Sequence, residues 1–393
     1  MKRIEFVFFD AGGGHRSAAT AMQLEIKSRQ IAWDVNLMNL QDELDKLDIL
    51  RRLTGIRIQE AYNSMLRNGW TLGSAQLMKV LQATIWVHHP LLVKLLVKYW
   101  QSTSPDMVVS FVPHFNRILG ESFAIAFPGR PFVTILTDLA NYPPNFWMER
   151  REQSFIVGSD LAEKQAVEFT GSHENVYRVS GMILHPRFYE PQTADRAAAR
   201  AKLGLGANLV TGLVLFGGFG SSAIERIVDR LDAADLPVQL ILICGRNEQV
   251  RARLAARHTR MPIFVEGFTA QIPYYMNLSD FFIGKPGPGS VSEAIAMHLP
   301  VIVECNAWTL PQERYNATWV TEYQVGIAVD NFRGIVPAVE QLLRDGTLDK
   351  FRANAAALPN RAVFEIPGIL EAILERSVAA APSPVLAKAA ECR

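Results

Sequence analysis

The residues best suited to bind a phosphate lie in one glycine- and proline-rich stretch. It reads I-G-K-P-G-P-G-S-V-S-E over residues 283–293, between a short apolar strand and a segment with helical spacing. Gly287 and Gly289 let the backbone approach a ligand, and the N–H groups that begin the following helix favour an anion. Lys285 adds a positive charge, and Glu293 lies where a carboxylate can accept ribose hydroxyl groups. The pattern predicts a nucleotide site, although such turns also occur where only tight packing is needed.

A second glycine loop, G-G-F-G-S-S, occupies residues 217–222 after the apolar run 209–216. Its strand–turn–helix context allows it to hold the other side of a pyrophosphate. Two later predicted strands, residues 238–244 and 263–265, are followed by Arg246 and by the stretch E-G-F-T, which contains Phe268. The backbone of this second stretch can meet the edge of a base.

His15 follows three consecutive glycines, Gly12 to Gly14, at the end of the apolar segment 4–9. Loops at the carboxyl ends of parallel strands are where α/β sheets bind ligands. Because an unperturbed imidazole titrates near neutral pH, His15 can act as a base or contact an oxyanion. A local hydrogen bond at the start of the next helix is the alternative.

Strands alternate with helices along the whole chain, which predicts doubly wound parallel sheets. The 393 residues are too many for one ordinary core, so we expect two α/β units joined near Gly181–Pro191. The predicted strands are residues 4–9, 33–38, 106–111, 131–136, 153–157, 176–179, 209–216, 238–244, 263–265, 280–283 and 301–303.

Composition and charge exclude several classes of protein. The formal net charge of +1 gives no reason to expect nucleic-acid binding. Cys244, Cys305 and Cys392 are too few and too scattered for a disulfide framework or a zinc site, so we predict a protein of the reducing cytosol without a metal. No uncharged apolar run reaches the length of a membrane span, and the amino terminus is predicted to be a first strand rather than a signal peptide.

Residues 51–100 differ in character from the rest. Seven lysines and arginines stand against the single acid Glu60, among leucines and the aromatic residues Trp70, Trp86, Tyr99 and Trp100. Basic amphipathic helices with aromatic anchors are typical of proteins that lie on an anionic bilayer. A helical hairpin with solvated arginines is the alternative interpretation.

Several motifs together resemble those of the monogalactosyldiacylglycerol synthase and diacylglycerol glucosyltransferase family, which is related to the N-acetylglucosaminyltransferase that makes lipid II. In order they are G-G-G-H-R-S-A-A, G-G-F-G-S-S, C-G-R-N, E-G-F-T, K-P-G-P-G-S-V-S-E-A followed by L-P-V-I-V, and Q-E-x-x-N-A. The resemblance extends through about residue 375. It implies the GT-B fold, a UDP-sugar donor, a lipid acceptor and inversion at the anomeric carbon without a metal or other cofactor.

By this resemblance, residues 1–182 form the acceptor unit, with the basic insert at about 42–100, and residues 183–377 form the donor unit. The composition of residues 378–393 predicts a disordered tail. Glu293 would hold the ribose, Gln312 and Glu313 the sugar hydroxyls, and Phe268 would flank the uracil. The pyrophosphate would lie between two loops. The residues of these loops are Gly218, Phe219, Gly220 and Ser221 in one and Gly287, Pro288, Gly289 and Ser290 in the other.

The chemistry also requires a base on the acceptor side. His15 is the first candidate, and Asp138, at the end of a predicted strand, is the second. The family usually has a histidine shortly after its Thr-Asp pair, where this chain has Tyr142, and another before a proline, where this chain has Val112 and then His114 beyond the proline. We assign Gly13, Gly14, His114 and Tyr142 to the acceptor side.

We therefore predict an inverting, metal-independent hexosyltransferase that moves sugar from a UDP-sugar to a membrane lipid, with diacylglycerol as the implied acceptor. It would lie on the inner face of the cytoplasmic membrane. Two alternatives remain open: a UDP-sugar 2-epimerase of the same architecture, and a nucleotide-sugar-binding protein without catalysis.

Overall fold

Two parallel six-stranded sheets form the centres of two lobes. The computed structural model describes residues 1–10, 13–46, 82–143, 146–149, 153–218 and 220–380. Most of the predicted basic insert and nearly all of the predicted tail lie outside these residues.

The first sheet has the order β2-β1-β3-β4-β5-β6 and the second the order β12-β11-β10-β7-β8-β9. The strands of the first lobe are β1 (Lys2–Phe8), β2 (Trp33–Asn39), β3 (Met107–Ser110), β4 (Phe132–Ile135), β5 (Ser154–Val157) and β6 (Val176–Arg178). Those of the second are β7 (Val210–Leu215), β8 (Val238–Ile243), β9 (Ile263–Glu266), β10 (Phe281–Gly284), β11 (Val301–Glu304) and β12 (Gly326–Val329). Each predicted strand is present, with bounds that differ by at most two residues. The short edge strand β12, which begins with a glycine, was not predicted.

Helices connect the strands and cover both faces of each sheet. In chain order they are α1 (Gly14–Ser28), α2 (Leu40–Asp45), α3 (His89–Thr103), α4 (Asn116–Ala126), α5 (Asp160–Thr170), α6 (Arg196–Lys202), α7 (Ala223–Ala234), α8 (Glu248–Ala255), α9 (Ile272–Asn277), α10 (Pro288–Ala296), α11 (Arg314–Glu322), α12 (Ile335–Leu343), α13 (Thr347–Ala356) and α14 (Ala362–Ala380). Every pair of neighbouring strands is parallel, so the loops at the carboxyl ends of each sheet share one edge.

The strands are apolar because both faces of each sheet are covered. Val108, Val109, Leu240 and Ile241, for example, are inaccessible to solvent. Continuous Val, Ile and Leu runs are typical of parallel strands buried on both sides. Each sheet therefore has two apolar layers, one under each set of helices.

Helix α14 packs in the first lobe although its sequence follows the second. Its residues Val363, Ile366 and Leu370 are inaccessible and belong to the core cluster of β1, β3 and α1. The boundary predicted at residues 182/183 assigned this helix to the second unit, and its residues 378–380 to a disordered tail. Its apolar face instead covers the first sheet, so the chain crosses between the lobes twice.

The two crossings run side by side. Asn360 Nδ2 donates to the carbonyl oxygen of Met182 (2.9 Å), and the N–H of Arg361 donates to Ser180 Oγ (2.6 Å). A Cβ atom on Gly181 would lie 2.6 Å from the Asn360 side chain. The joint between the lobes is therefore one compact contact, near the start of the predicted connection.

Helix α3 is fixed to the first sheet by a buried polar contact. Glu5 of β1 accepts hydrogen bonds from Asn36 Nδ2 of β2 (2.6 Å) and from the Tyr99 hydroxyl of α3. Burial raises the pKa of the Glu5 carboxyl, and these two donors oppose that shift. Helix α3, which ends the predicted basic insert, thus has a defined position on the sheet, and its Trp100, predicted to be an aromatic anchor for a bilayer, is instead 0% exposed in the core.

Candidate active site

The turn between β10 and α10 forms the first part of the site. Gly287 is extended (φ −66°, ψ 133°) and Pro288 begins the helix. Inside α10, the N–H of Val291 is bonded to the Gly287 carbonyl (3.1 Å). The N–H groups of Gly289 and Ser290 therefore precede the helical bonding pattern and point out of the helix end. A Cβ atom on Gly289 would meet nothing within 4 Å, so space is open above this turn.

An ion pair lies beside this turn. Lys285 Nζ donates to Glu313 Oε1 at 2.9 Å, and the Glu313 side chain is largely buried. Asn316, which is inaccessible, donates through Nδ2 to the Pro286 carbonyl (2.7 Å) and so supports the turn from below. Gln312 is also buried. The hydrogen bond by which Asn316 supports this turn was not predicted, although the residue belongs to the motif Q-E-x-x-N.

Glu293 lies in the second turn of α10 and is partly buried. Burial raises the pKa of its carboxyl to about 7, and the positive charge of Arg187 partly opposes this shift. Arg187 also donates a hydrogen bond to the Ala270 carbonyl in the connection between β9 and α9 (2.7 Å).

The second glycine loop is held against the end of β8. Gly220 has φ +68°, and a Cβ atom there would lie 2.0 Å from the Cys244 carbonyl oxygen, so only glycine fits. The N–H of Arg246 donates to the Gly218 carbonyl (2.9 Å). Ser221 Oγ accepts from the N–H of Ala223 at the start of α7 (3.1 Å). Phe219 lies outside the described residues.

Arg246 and Phe268 form a pair at the rim of the cleft. The Arg246 guanidinium lies 4.6 Å from the centre of the Phe268 ring, and the ring is 59% exposed. A Cβ atom on Gly218 would come within 3.7 Å of this ring. An exposed aromatic ring next to a glycine loop offers a flat surface for a base.

His15 lies in the first turn of α1, in the first lobe. Its Nδ1 is 2.9 Å from Thr137 Oγ1, and its ring lies edge-to-face with Trp147 at 5.9 Å. Desolvation lowers the pKa of His15 to about 4, while a hydrogen bond with the Phe111 backbone opposes this shift. The imidazole is therefore neutral at neutral pH. Gly13 and Gly14, beside it, are exposed.

Asp138 follows β4 and is 6% exposed. Its Oδ2 accepts a hydrogen bond from the indole Nε1 of Trp147 (2.9 Å). Desolvation raises the pKa of Asp138 to about 7; the bond from Trp147 and the charge of Lys285 lower it, and the charge of Glu313 raises it. Since Lys285 and Glu313 belong to the second lobe, the two halves of the site face each other across the cleft.

Trp147 was not recognised in the sequence. Its backbone N–H donates to Asn141 Oδ1 (2.8 Å), and its carbonyl accepts from Asn116 Nδ2 (2.9 Å). The only signal was its position shortly after Thr137-Asp138, in the stretch N-F-W.

The other predicted acceptor-side residues lie in loops near Trp147. His114 has φ +66°, its Nδ1 is 3.1 Å from Gln82 Nε2, and its ring contacts Phe146 at 4.4 Å. Desolvation lowers the pKa of His114 to about 4. Tyr142 is 44% exposed and precedes a cis proline. No hydrogen bond in the described part of the chain joins His114 or Tyr142 to His15 or Asp138.

The described part of the chain lacks two features, a cluster of metal-binding side chains and a membrane-spanning helix. No group of three or more His, Cys, Asp or Glu side chains within it is arranged to hold a metal ion. No helix within the same ranges combines the length and apolar character required to span a bilayer.

No family model matches the chain, but curated proteins do. A probable monogalactosyldiacylglycerol synthase 2 of Oryza sativa subsp. indica is 26% identical over 391 residues, which cover 93% of this chain and 79% of the relative. Monogalactosyldiacylglycerol synthase 3 of Arabidopsis thaliana is 25% identical, with coverage of 93% and 80%. The chain is similar to the monogalactosyldiacylglycerol synthases. The resemblance predicted from the motifs is confirmed, and it extends over nearly the full chain.

Solved structures establish the fold. MurG of Acinetobacter baumannii superposes with a TM-score of 0.63 at 13% identity and covers 94% of this chain and 99% of its own. A UDP-GlcNAc 2-epimerase from Neisseria meningitidis bound to UDP-GlcNAc gives a TM-score of 0.58 at 14% identity, with coverage of 95% and 100%. The chain has the GT-B fold that we predicted, shared by glycosyltransferases such as MurG. The monogalactosyldiacylglycerol synthases are thus its relatives by sequence, and both structures are relatives by architecture.

Proposed function

We propose that this protein is a glycosyltransferase that moves a hexose from a UDP-sugar to a membrane lipid, with diacylglycerol as acceptor. The observation that carries the proposal is the arrangement across the cleft. Asp138 of the first lobe lies close enough to Lys285 and Glu313 of the second that both charges change its pKa. A base on one side therefore faces an anion-binding turn on the other.

The second lobe supplies the groups that a nucleotide sugar needs. The open N–H groups at the start of α10 and the glycine loop after β7 would bind the diphosphate. Glu293 would accept hydroxyl hydrogens of the ribose, and the Phe268 ring would lie against the base. Gln312 and Glu313, beside Lys285, would bind hydroxyl groups of the sugar.

The reaction needs no metal in this proposal. The acceptor hydroxyl oxygen attacks the anomeric carbon from the face opposite the diphosphate, and its proton passes to a base of the first lobe. The bond between the anomeric carbon and the diphosphate oxygen breaks, and UDP leaves with the bonding electrons. The negative charge that develops on UDP is stabilised by Lys285 and by the N-terminus of α10.

Asp138 fits the role of base better than His15. A general base is most effective when its pKa lies near the working pH, and the Asp138 pKa of about 7 meets this condition. His15, with a pKa of about 4, is a weaker base. We therefore place the base at Asp138 and propose that His15 hydrogen-bonds the acceptor hydroxyl.

The lipid acceptor implies contact with a membrane, and we propose that the basic insert provides it from the cytoplasmic side. Trp86, just after the undescribed part of the insert, is 70% exposed, and Lys94 and Lys98 are exposed on α3. Exposed aromatic and basic side chains together favour an anionic surface. Neutralising Arg51, Arg52, Arg57 and Arg67 should abolish co-sedimentation with phosphatidylglycerol vesicles; unchanged binding at low salt would remove this part of the proposal.

The test of the main proposal is a transfer assay. The protein is incubated with a panel of UDP-sugars and diacylglycerol vesicles, with and without EDTA. We expect acceptor-dependent release of UDP, a new glycolipid by mass spectrometry and no loss of either with EDTA. Inhibition by EDTA that added metal restores would contradict the metal-independent mechanism.

A second candidate function is UDP-sugar 2-epimerisation, which the similarity to the Neisseria meningitidis enzyme favours. Incubation with UDP-GlcNAc alone distinguishes the two: an epimerase produces the 2-epimer without any acceptor. A third outcome, UDP-sugar binding with neither reaction, would indicate a binding protein.

A further inference from the structure

Trp147 connects the two candidate reactive groups of the first lobe. Its indole N–H donates to Asp138 Oδ2 at 2.9 Å, and its ring packs edge-to-face against His15. His15 is bonded in turn to Thr137, the residue before Asp138. The three side chains of His15, Asp138 and Trp147 therefore form one contiguous unit at the carboxyl end of β4.

The position of Trp147 is fixed independently of this unit. The residue is 0% exposed, and its backbone is bonded on both sides, to Asn141 Oδ1 and to Asn116 Nδ2. An indole N–H is a donor only and has no acceptor atom. The indole N–H therefore occupies Oδ2 of Asp138, and Oδ1 remains to accept a proton.

We propose that Trp147 is a positioning residue for sugar transfer: its N–H holds Asp138 Oδ2 so that Oδ1 faces the acceptor hydroxyl, and its ring sets the orientation of His15. This inference rests on the function proposed above. It assigns a role in the reaction to a side chain that touches neither substrate.

The role has a consequence for pH dependence. The N–H of Trp147 stabilises the ionised form of Asp138 and so lowers its pKa; the other groups that affect this carboxyl are Glu313 and Lys285, with His15 nearby through Thr137. Loss of a hydrogen bond to a charged group should raise the Asp138 pKa by about one unit. At pH 7 the ionised fraction would then fall from about one half to about one tenth, so turnover should fall about fivefold.

The test compares Trp147→Phe with Trp100→Phe. Trp100 is also 0% exposed and also donates through its indole, to Ser122 Oγ at 2.8 Å, but it lies in the core beneath α4. Each variant loses one buried indole hydrogen bond. The titration midpoint of Asp138 is measured by carboxyl NMR on protein labelled with ¹³C-aspartate, with Asp138→Asn for assignment, and kcat/KM is measured against pH.

We expect the midpoint and the acidic limb of kcat/KM to rise by about one unit in Trp147→Phe only, with the KM for the donor within about twofold of the wild type. Equal midpoints in Trp147→Phe and the wild type, or equal shifts in both variants, would overturn the inference. If Trp147→Phe does not fold, benzothienylalanine at position 147 keeps the ring shape without the N–H and gives the same test.

The two proposals fail in different ways. A wild type that transfers no sugar overturns the proposed function, and the positioning role with it, whatever the NMR result. A wild type that transfers sugar but shows no midpoint shift in the variant overturns the role of Trp147 alone.

Discussion

Glu293 and Asp138 are carboxyl groups on opposite sides of the cleft, and burial raises the pKa of each to about 7. Such values are frequent at functional sites because ligand or reaction can compensate for the cost of desolvation. Their proposed roles differ. Glu293 would accept hydrogen bonds from the donor, whereas Asp138 would accept a proton from the acceptor.

Glu293→Gln should weaken binding of a UDP-sugar by roughly tenfold to a hundredfold at pH 8, because a carboxylate is a stronger acceptor than an amide. In the wild type, affinity should decrease as the pH falls through about 7, since protonation removes the acceptor. The variant should lose this dependence. Isothermal titration calorimetry between about pH 6 and pH 8 measures both effects, with the surface variant Glu340→Gln as control.

The same substitution has a predicted effect on stability. The pKa of Glu293 is higher in the folded state than its ordinary value of 4.5, so the folded state binds the proton more tightly than the unfolded state. The free energy of unfolding contributed by this group therefore decreases as the pH rises from about 4.5 through 7. Glu293→Gln should be more stable than the wild type at pH 8 and show a much smaller gain at pH 5. Equal gains at both pH values in urea titrations would argue against a buried carboxyl.

Asp138→Asn should lower turnover by about a hundredfold or more while UDP affinity stays unchanged, as for loss of a general base. His15→Ala should also lower turnover, but the acidic limb of its pH profile should remain near pH 7, because Asp138 still titrates there. Steady-state kinetics across this range compare the two variants. If the acidic limb of the pH profile disappears in His15→Ala but persists in Asp138→Asn, His15 rather than Asp138 is the base.

At the scale of elements, the proposed phosphate-binding site is the β10–α10 turn rather than any one side chain. The turn is open above Gly289, supported below by Asn316 and flanked by Lys285. It was predictable because strand, glycines and helix are contiguous in the sequence.

Gly289→Val should preserve folding and abolish UDP binding, because its Cβ atom meets nothing within 4 Å and the side chain would occupy the space above the turn. Gly14→Val is the matched variant: a Cβ atom there also meets nothing within 4 Å, but it begins α1 on the acceptor side. We expect Gly14→Val to retain UDP affinity and to lower turnover. UDP binding that survives in Gly289→Val would show that the turn does not hold the diphosphate.

What the sequence could not provide are the contacts between distant elements. Alternation of strands and helices predicted both sheets, because continuous apolar runs identify buried parallel strands. The bond from Trp147 to Asp138 and the pair of Lys285 with Glu313 depend on how loops pack over a sheet, which no local pattern encodes.

At the scale of the whole molecule, α14 is the main departure from a simple two-unit chain. Its apolar residues complete the core of the first lobe, and Glu365 accepts hydrogen bonds from the backbone and hydroxyl of Ser180 (2.8 and 2.6 Å). The first lobe therefore depends on residues that follow the second lobe in the sequence.

Removal of residues 362–393 should prevent the first lobe from folding. Four large apolar side chains, Val363, Ile366, Leu370 and Ile373, would lose burial worth about 1.5–3 kcal/mol each, a sum comparable to the stability of a domain. Removal of residues 381–393 alone is the control and should leave the melting temperature unchanged. Thermal unfolding monitored by circular dichroism compares the two; because the second lobe has its own core, a transition in the longer truncation with the same amplitude and midpoint as in the full chain would contradict the proposed dependence.

The paired crossings also determine how movement of the lobes can be observed. Because α14 packs on the first lobe, a fluorophore attached at its exposed residue Glu371 travels with that lobe, although it lies far from β1 in the sequence. A second dye on α12 travels with the second lobe. Energy transfer between the two dyes would follow closure on a nucleotide sugar in real time, without any label near the substrates.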